Sequence, residues 1–125
     1  MQKILVSNAT RSEVQPFQVL YCDSFFCRLR GLTFRRQLAP EEGLLLVESR
    51  ESRLDAAIHM LFVWFELGVV WINDSGLIVD ACLARPWRPS YVPRYPARFV
   101  LEMAPVRLDD FRVGDEVKFE TVHLD

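Results

Sequence analysis

Residues 56–72 constrain this chain more than any other stretch. Nearly every side chain in the run is apolar, so the segment must either cross a bilayer or be buried in protein. A spanning helix needs about 20 consecutive apolar residues. This run is shorter and is interrupted by His59 and Glu66, so it reads as core, and no membrane partner is expected. Its Val, Ile, Phe and Trp content favours strands, predicted at residues 58–65 and 67–72. Asn73-Asp74-Ser75-Gly76 before Leu77-Ile78-Val79 is a hairpin signal, with Gly76 able to take the positive φ a tight turn demands.

Further strands are predicted at residues 3–7, 14–21, 44–47 and 99–103, and a half-buried peripheral one at 117–121, where apolar residues alternate with Lys118 and Glu120. Polar stretches at 37–43 and 48–55 read as loops. Four of the seven prolines fall in residues 86–96, which therefore cannot lie in a central sheet. Asp23 fits a helix N-cap, with Phe25, Phe26 and Leu29 on one face and Gly31 closing the helix; residues 106–111 predict one more helical turn. No regular helices separate the strands. The expected architecture is α+β, a mainly antiparallel, barrel-like or sandwich-like sheet with one or two short helices, forming a single domain over residues 1–125.

Fifteen Lys and Arg against seventeen Asp and Glu leave a net charge of −2, which offers no global attraction to nucleic acid or anionic lipid. Any such affinity has to be local. All the basic residues except Lys3 and Lys118 are arginines, suited to bidentate recognition of carboxylate or phosphate. Cys22, Cys27 and Cys82 are odd in number and form no Cys-x-x-Cys pair, so reduced, buried thiols are expected, in a cytoplasmic protein whose first residues carry no secretory signal pattern.

Several segments, read in order, resemble the bacterial and archaeal family catalogued as domain of unknown function 192. They are Asn8-Ala9-Thr10-Arg11, Cys27-Arg28-Leu29-Arg30-Gly31-Leu32-Thr33-Phe34-Arg35, Glu42-Gly43-Leu44-Leu45-Leu46 and Ile58-His59-Met60-Leu61-Phe62. The resemblance continues through Val69-Val70-Trp71-Ile72, Leu83-Ala84-Arg85-Pro86-Trp87-Arg88, Ala97-Arg98-Phe99-Val100-Leu101-Glu102 and Gly114-Asp115. It implies an uncharacterised conserved fold without an assigned activity. The family pattern also has a basic or polar residue, a proline and an aspartate where this chain has Trp64, Glu66 and Gly68. Any family chemistry that needs that aspartate is not available here.

Residues 85–98 hold four arginines, three aromatics and no acid. Arg85, Trp87, Arg88, Arg94, Tyr95 and Arg98 are therefore candidate ligand contacts, joined by Arg30 from a second arginine cluster. Arginine forks grip anions and aromatic faces stack, so a small anionic ligand or a peptide fits best. Two alternatives stand beside this binding-module reading. One is a small hydrolase-like enzyme with His59 as base, which requires an acid or hydroxyl within reach. The other is weak single-stranded nucleic-acid binding, with net charge against it. His59 and His123 lie far apart in sequence, so neither a metal site nor a cofactor is expected. A homodimer is compatible with the sequence.

Overall fold

A computed structural model describes residues 2–24, 27–28, 31–32 and 37–122. Among the described residues seven strands form: β1 (Lys3–Asn8), β2 (Phe17–Cys22), β3 (Gly43–Ser52), β4 (Leu67–Ile72), β5 (Ile78–Ala84), β6 (Ala97–Met103) and β7 (Val117–Thr121). They form one sheet in the order β5-β4-β6-β3-β2-β1-β7. Only the β2–β3 pair is parallel, with Leu20 opposite Leu44 and Cys22 opposite Leu46. A 3-10 helix, Pro105–Asp110, follows β6 at the position where a helical turn is expected.

The sheet curls into a half-barrel whose two edges meet at one corner. Leu77 bridges Glu116. There the Ile78 N–H donates to the Asp115 carbonyl at 2.9 Å, and the Val117 N–H to the Gly76 carbonyl at 2.8 Å. The expected Asn73–Gly76 turn sits at this corner, Gly76 having φ +86°.

Two cores flank the sheet. The concave side gathers Val6, Leu45, Val70, Ile72, Leu101 and Phe111. On the other face Leu44, Leu46, Val69, Trp71 and Val100 are covered by Leu32, Met60 and their neighbours. This is why β3 opens, and β4 runs throughout, as unbroken apolar sequence: a strand buried on both faces has no polar phase. The Trp71 indole N–H donates to the Ala56 carbonyl at 2.8 Å, pinning the cover to the sheet.

Four expectations need correction. Residues 58–65 are not a strand; only Ile58 forms a bridge, to Tyr91, and Phe62 takes φ +61°, which breaks any extended run. The stretch 48–55 is not simply a loop, because β3 continues to Ser52 before the chain turns. The helix N-cap is Ser24 rather than Asp23, since Ser24 Oγ accepts from the Cys27 N–H at 3.1 Å; Phe25, Phe26 and Leu29 lie outside the described residues. Finally, Cys22 and Cys27 are not reduced thiols but a disulfide. The end of β2 and the turn after it bring their Cα atoms to 5.7 Å, within bridging range, and the odd cysteine count is met by a free Cys82.

Candidate functional site

Two irregular segments, 58–65 and 85–95, clasp each other outside the sheet. Ile58 and Tyr91 exchange backbone hydrogen bonds of 3.0 and 2.9 Å; the Met60 N–H donates to the Arg88 carbonyl, and the Trp87 N–H to the Met60 carbonyl, both at 2.8 Å. The Arg53 guanidinium adds a bond to the Pro93 carbonyl at 3.0 Å. Met60 and Val63 root the first segment in the core, so the residues between and after them point outward. Trp64 is 53% exposed, Phe62 44%, Trp87 41% and Leu61 39%. The Trp87 ring lies 4.8 Å from that of Trp64 and 5.0 Å from that of Phe62.

Among the described residues the only non-glycine positive φ angles are those of Phe62 (+61°) and Trp87 (+66°). Bulky residues adopt this backbone at a cost of about 1 kcal/mol or more. Both strained residues belong to one exposed aromatic cluster.

The structure separates the predicted arginines. Arg85, Arg88 and Arg94 are exposed and make no ion pair among the described residues. The Arg85 N–H donates to the Tyr91 hydroxyl at 2.8 Å, and the Arg88 guanidinium lies 5.5 Å from the Tyr91 ring centroid. Arg94 is held by its backbone, whose N–H donates to the Asp80 carboxylate at 2.9 Å. Tyr95 is exposed. Arg98 faces away into structural work, donating to the Glu48 carbonyl and to Asp74, each at 3.2 Å. Arg30 and His123 lie outside the described residues.

His59 is half-buried, and its Nδ1 accepts the Leu61 N–H at 3.2 Å. A neutral imidazole accepting at Nδ1 carries its proton on Nε2. The ring therefore helps shape the loop that carries the aromatics.

Other motif residues prove architectural. Asn8 Nδ2 donates to Asp115 Oδ2 and to the Asp110 carbonyl, both at 2.8 Å, while Asn8 Oδ1 accepts from the Thr10 and Arg11 N–H groups. Arg11 reaches the same carboxylate at 3.1 Å. Burial works to raise the Asp115 carboxyl, but bonds from Asn8, Arg112 N–H and Arg11 outweigh it and hold it below the ordinary range. At Gly68 an added Cβ would stand 2.9 Å from Leu108 Cδ1, so any side chain at this position would require Leu108 to shift.

Glu102 lies on the other side of the sheet from the barrel interior, opposite Leu44 and Val69. It is 4% exposed, its Oε1 has no hydrogen-bond partner among the described residues, and burial pushes the carboxyl up to about 7. A separate cleft of about 260 Å³, lined by residues including Lys3, Leu20, Leu32, Glu41 and Leu44, contains none of the exposed aromatics. No group of three or more His, Cys, Asp or Glu gathers as a metal site among the described residues.

Sequence reasoning missed Leu61, Phe62 and Trp64 as surface residues. An unbroken apolar run has no periodicity to say which members face out. The signal available was the run's neighbour: Trp87, already a candidate, is what Phe62 and Trp64 touch.

The molecule is thus a curled, mostly β half-barrel carrying one exposed aromatic and arginine surface. Its fold matches that of a Sinorhizobium meliloti protein proposed to be a transcription regulator, with TM-score 0.80 and 22% identity over 94% of this chain and 92% of that one. A protein of unknown function from Novosphingobium aromaticivorans gives TM-score 0.79 and 18% identity over 93% of this chain and 83% of the other. The chain belongs to the DUF192 family, Uncharacterized ACR, COG1430, which it matches over residues 6–119. Similar relatives include UPF0127 proteins of Thermococcus sibiricus, 34% identical over 93% of this chain and 75% of the relative, and of Pyrococcus furiosus, 34% identical over 76% and 78%.

Proposed function

We propose that this protein is a non-catalytic binding module that takes an anionic, partly apolar ligand on the surface formed by Trp64, Trp87, Arg85 and Arg88. One observation carries the reading: the guanidinium groups of Arg85, Arg88 and Arg94 form no ion pair among the described residues, yet stand on the same loop as an exposed, backbone-strained Trp87. Arginine without an internal acid remains available to a carboxylate or phosphate, and the adjacent rings supply apolar contact. The clasped backbone of the two loops fixes these groups before binding, which limits the entropy lost on association. The hydrolase alternative is weaker, because His59 Nδ1 is engaged by the Leu61 N–H.

The Cys22–Cys27 disulfide bears on location. Most reducing compartments do not sustain such a bond, so it favours an oxidising setting over the cytoplasmic one expected from sequence. No helix among the described residues is long and apolar enough to cross a membrane.

The test uses phenyl phosphate, an anion with an aromatic body, titrated into the full chain and followed by amide chemical shifts. Shifts should cluster on residues 61–64 and 85–95. The double variant Arg85→Ala with Arg88→Ala should weaken binding about tenfold or more, each charge-assisted contact being worth about 1 kcal/mol or more. Unchanged spectra at these residues, or affinity indifferent to both arginines, reject the proposal.

A further inference from the structure

Trp64, Trp87 and Leu61 project from two loops that are hydrogen-bonded to each other and rooted by Met60 and Val63. This is a stiff apolar prominence. Exposed aromatic and aliphatic side chains of this size normally find burial, and here a positive φ at Trp87 holds one of the rings in place. On the same loop the Arg85, Arg88 and Arg94 guanidinium groups form no ion pair among the described residues, the one acid at hand being Asp80, which accepts from the Arg94 backbone N–H at 2.9 Å; Tyr95 is 61% exposed. Tryptophan and tyrosine favour the headgroup level of a bilayer, where an apolar body and a polar edge are satisfied together. Arginine beside them meets lipid phosphate while its stem stays apolar.

Resting on the binding reading above, we infer that the ligand is the surface of an anionic lipid bilayer, with Trp64, Trp87 and Leu61 entering the interface and Arg85, Arg88 and Arg94 meeting lipid phosphates. Charge complementarity selects this occupant: residues 85–98 contain no acid, although the whole chain is net −2. A bilayer also asks for no shaped cavity, and the 260 Å³ cleft contains none of these side chains. The expectation of no membrane partner rested on residues 56–72 being too short to span, and surface docking requires no span. Glu66, exposed two residues beyond Trp64, is the acid nearest the prominence in sequence and opposes approach to anionic lipid.

The experiment is sedimentation of the full chain with vesicles of phosphatidylcholine containing about one third phosphatidylglycerol, beside vesicles of phosphatidylcholine alone. Binding is expected to the anionic vesicles, to fall about fivefold for each of Arg85→Ala and Arg88→Ala, and to weaken steeply with salt. Trp64→Ser and Leu61→Ser should each reduce it further, the second guarding against a fold defect in the first, and Glu66→Gln should strengthen it. In the unmodified chain, lipids brominated near the headgroup should quench Trp64 and Trp87 while the buried Trp71 keeps its emission. Phenyl phosphate binding without vesicle binding overturns this inference and leaves the binding module standing. Failure of both probes removes both. Vesicle binding that ignores the tryptophan and arginine variants overturns the assigned surface, as does self-association through these residues with no lipid uptake.

Discussion

A carboxyl buried without a partner favours the fold when protonated and opposes it when charged. Glu102, whose Oε1 has no partner among the described residues and whose carboxyl is raised from 4.5 to about 7, is in that position. Below pH 4.5 both folded and unfolded chains hold the proton; between 4.5 and about 7 only the folded chain does, so its stability declines across that window as pH rises. Glu102→Gln should remove the decline. Relative to the unmodified chain it should gain about 3 kcal/mol between pH 4 and pH 8, read from denaturant midpoints at each pH. A constant separation between the two curves would show that the carboxyl is not held neutral. Asp115 tilts the other way: its carboxyl is depressed, so its contribution is present above the ordinary 3.8 and is lost on acidification. At this scale the sequence was partly legible. Asn8, Arg11 and Asp115 stand out as motif words, but their convergence spans more than 100 positions and only the fold brings it about.

At the scale of elements, the hairpin between β4 and β5 shows local chemistry deciding local structure. Asn73 Oδ1 accepts from the Ser75 and Leu77 N–H groups, and Gly76 turns the chain at φ +86°. A Cβ at Gly76 would also lie 2.9 Å from the Val117 carbonyl oxygen, a backbone atom that cannot step aside. Gly76→Ala should therefore cost about 1–3 kcal/mol, combining left-handed strain with that contact. Thermal denaturation measures it, and a loss within a few tenths of a kcal/mol would mean the corner relaxes freely. This hairpin was readable because turn residues act within four positions. Residues 58–65 were not, since their apolar composition fits both a buried strand and the observed loop, in which Met60 and Val63 go inward while Leu61 and Trp64 go out. The arginine-rich loop was correctly placed off the sheet by its prolines, whereas the loss of Arg98 to Glu48 and Asp74 depended on β3 and the hairpin turn arriving beside it.

For the whole molecule, curling brings the outer strands β5 and β7 into hydrogen-bonding contact at one corner. Exposed strand edges invite pairing with other chains, and this junction removes part of that hazard. Amide exchange should show it: the Ile78 and Val117 N–H groups, bonded across the junction, should be protected nearly as strongly as amides of the central β6. Rapid exchange at both would mean that the corner opens independently of the core. A β-rich, mainly antiparallel fold was legible from strand count and the shortage of helices. Strand order was not, because β3 with β6 and β1 with β7 pair across long sequence separations that no local pattern encodes.

The β1–β7 pairing also sets an order of events during synthesis. β1 is made well before β7 yet is laid between β2 and β7, so the flank of β1 that meets β7 stays unpaired until residues 117–121 emerge. Asn8, placed at the end of β1, likewise waits for Asp110 and Asp115. A nascent chain can pair β4 with β5 and β6 before β7 is made, but this sheet is complete only once Val117–Thr121 has joined it, and until then β1 carries an open edge.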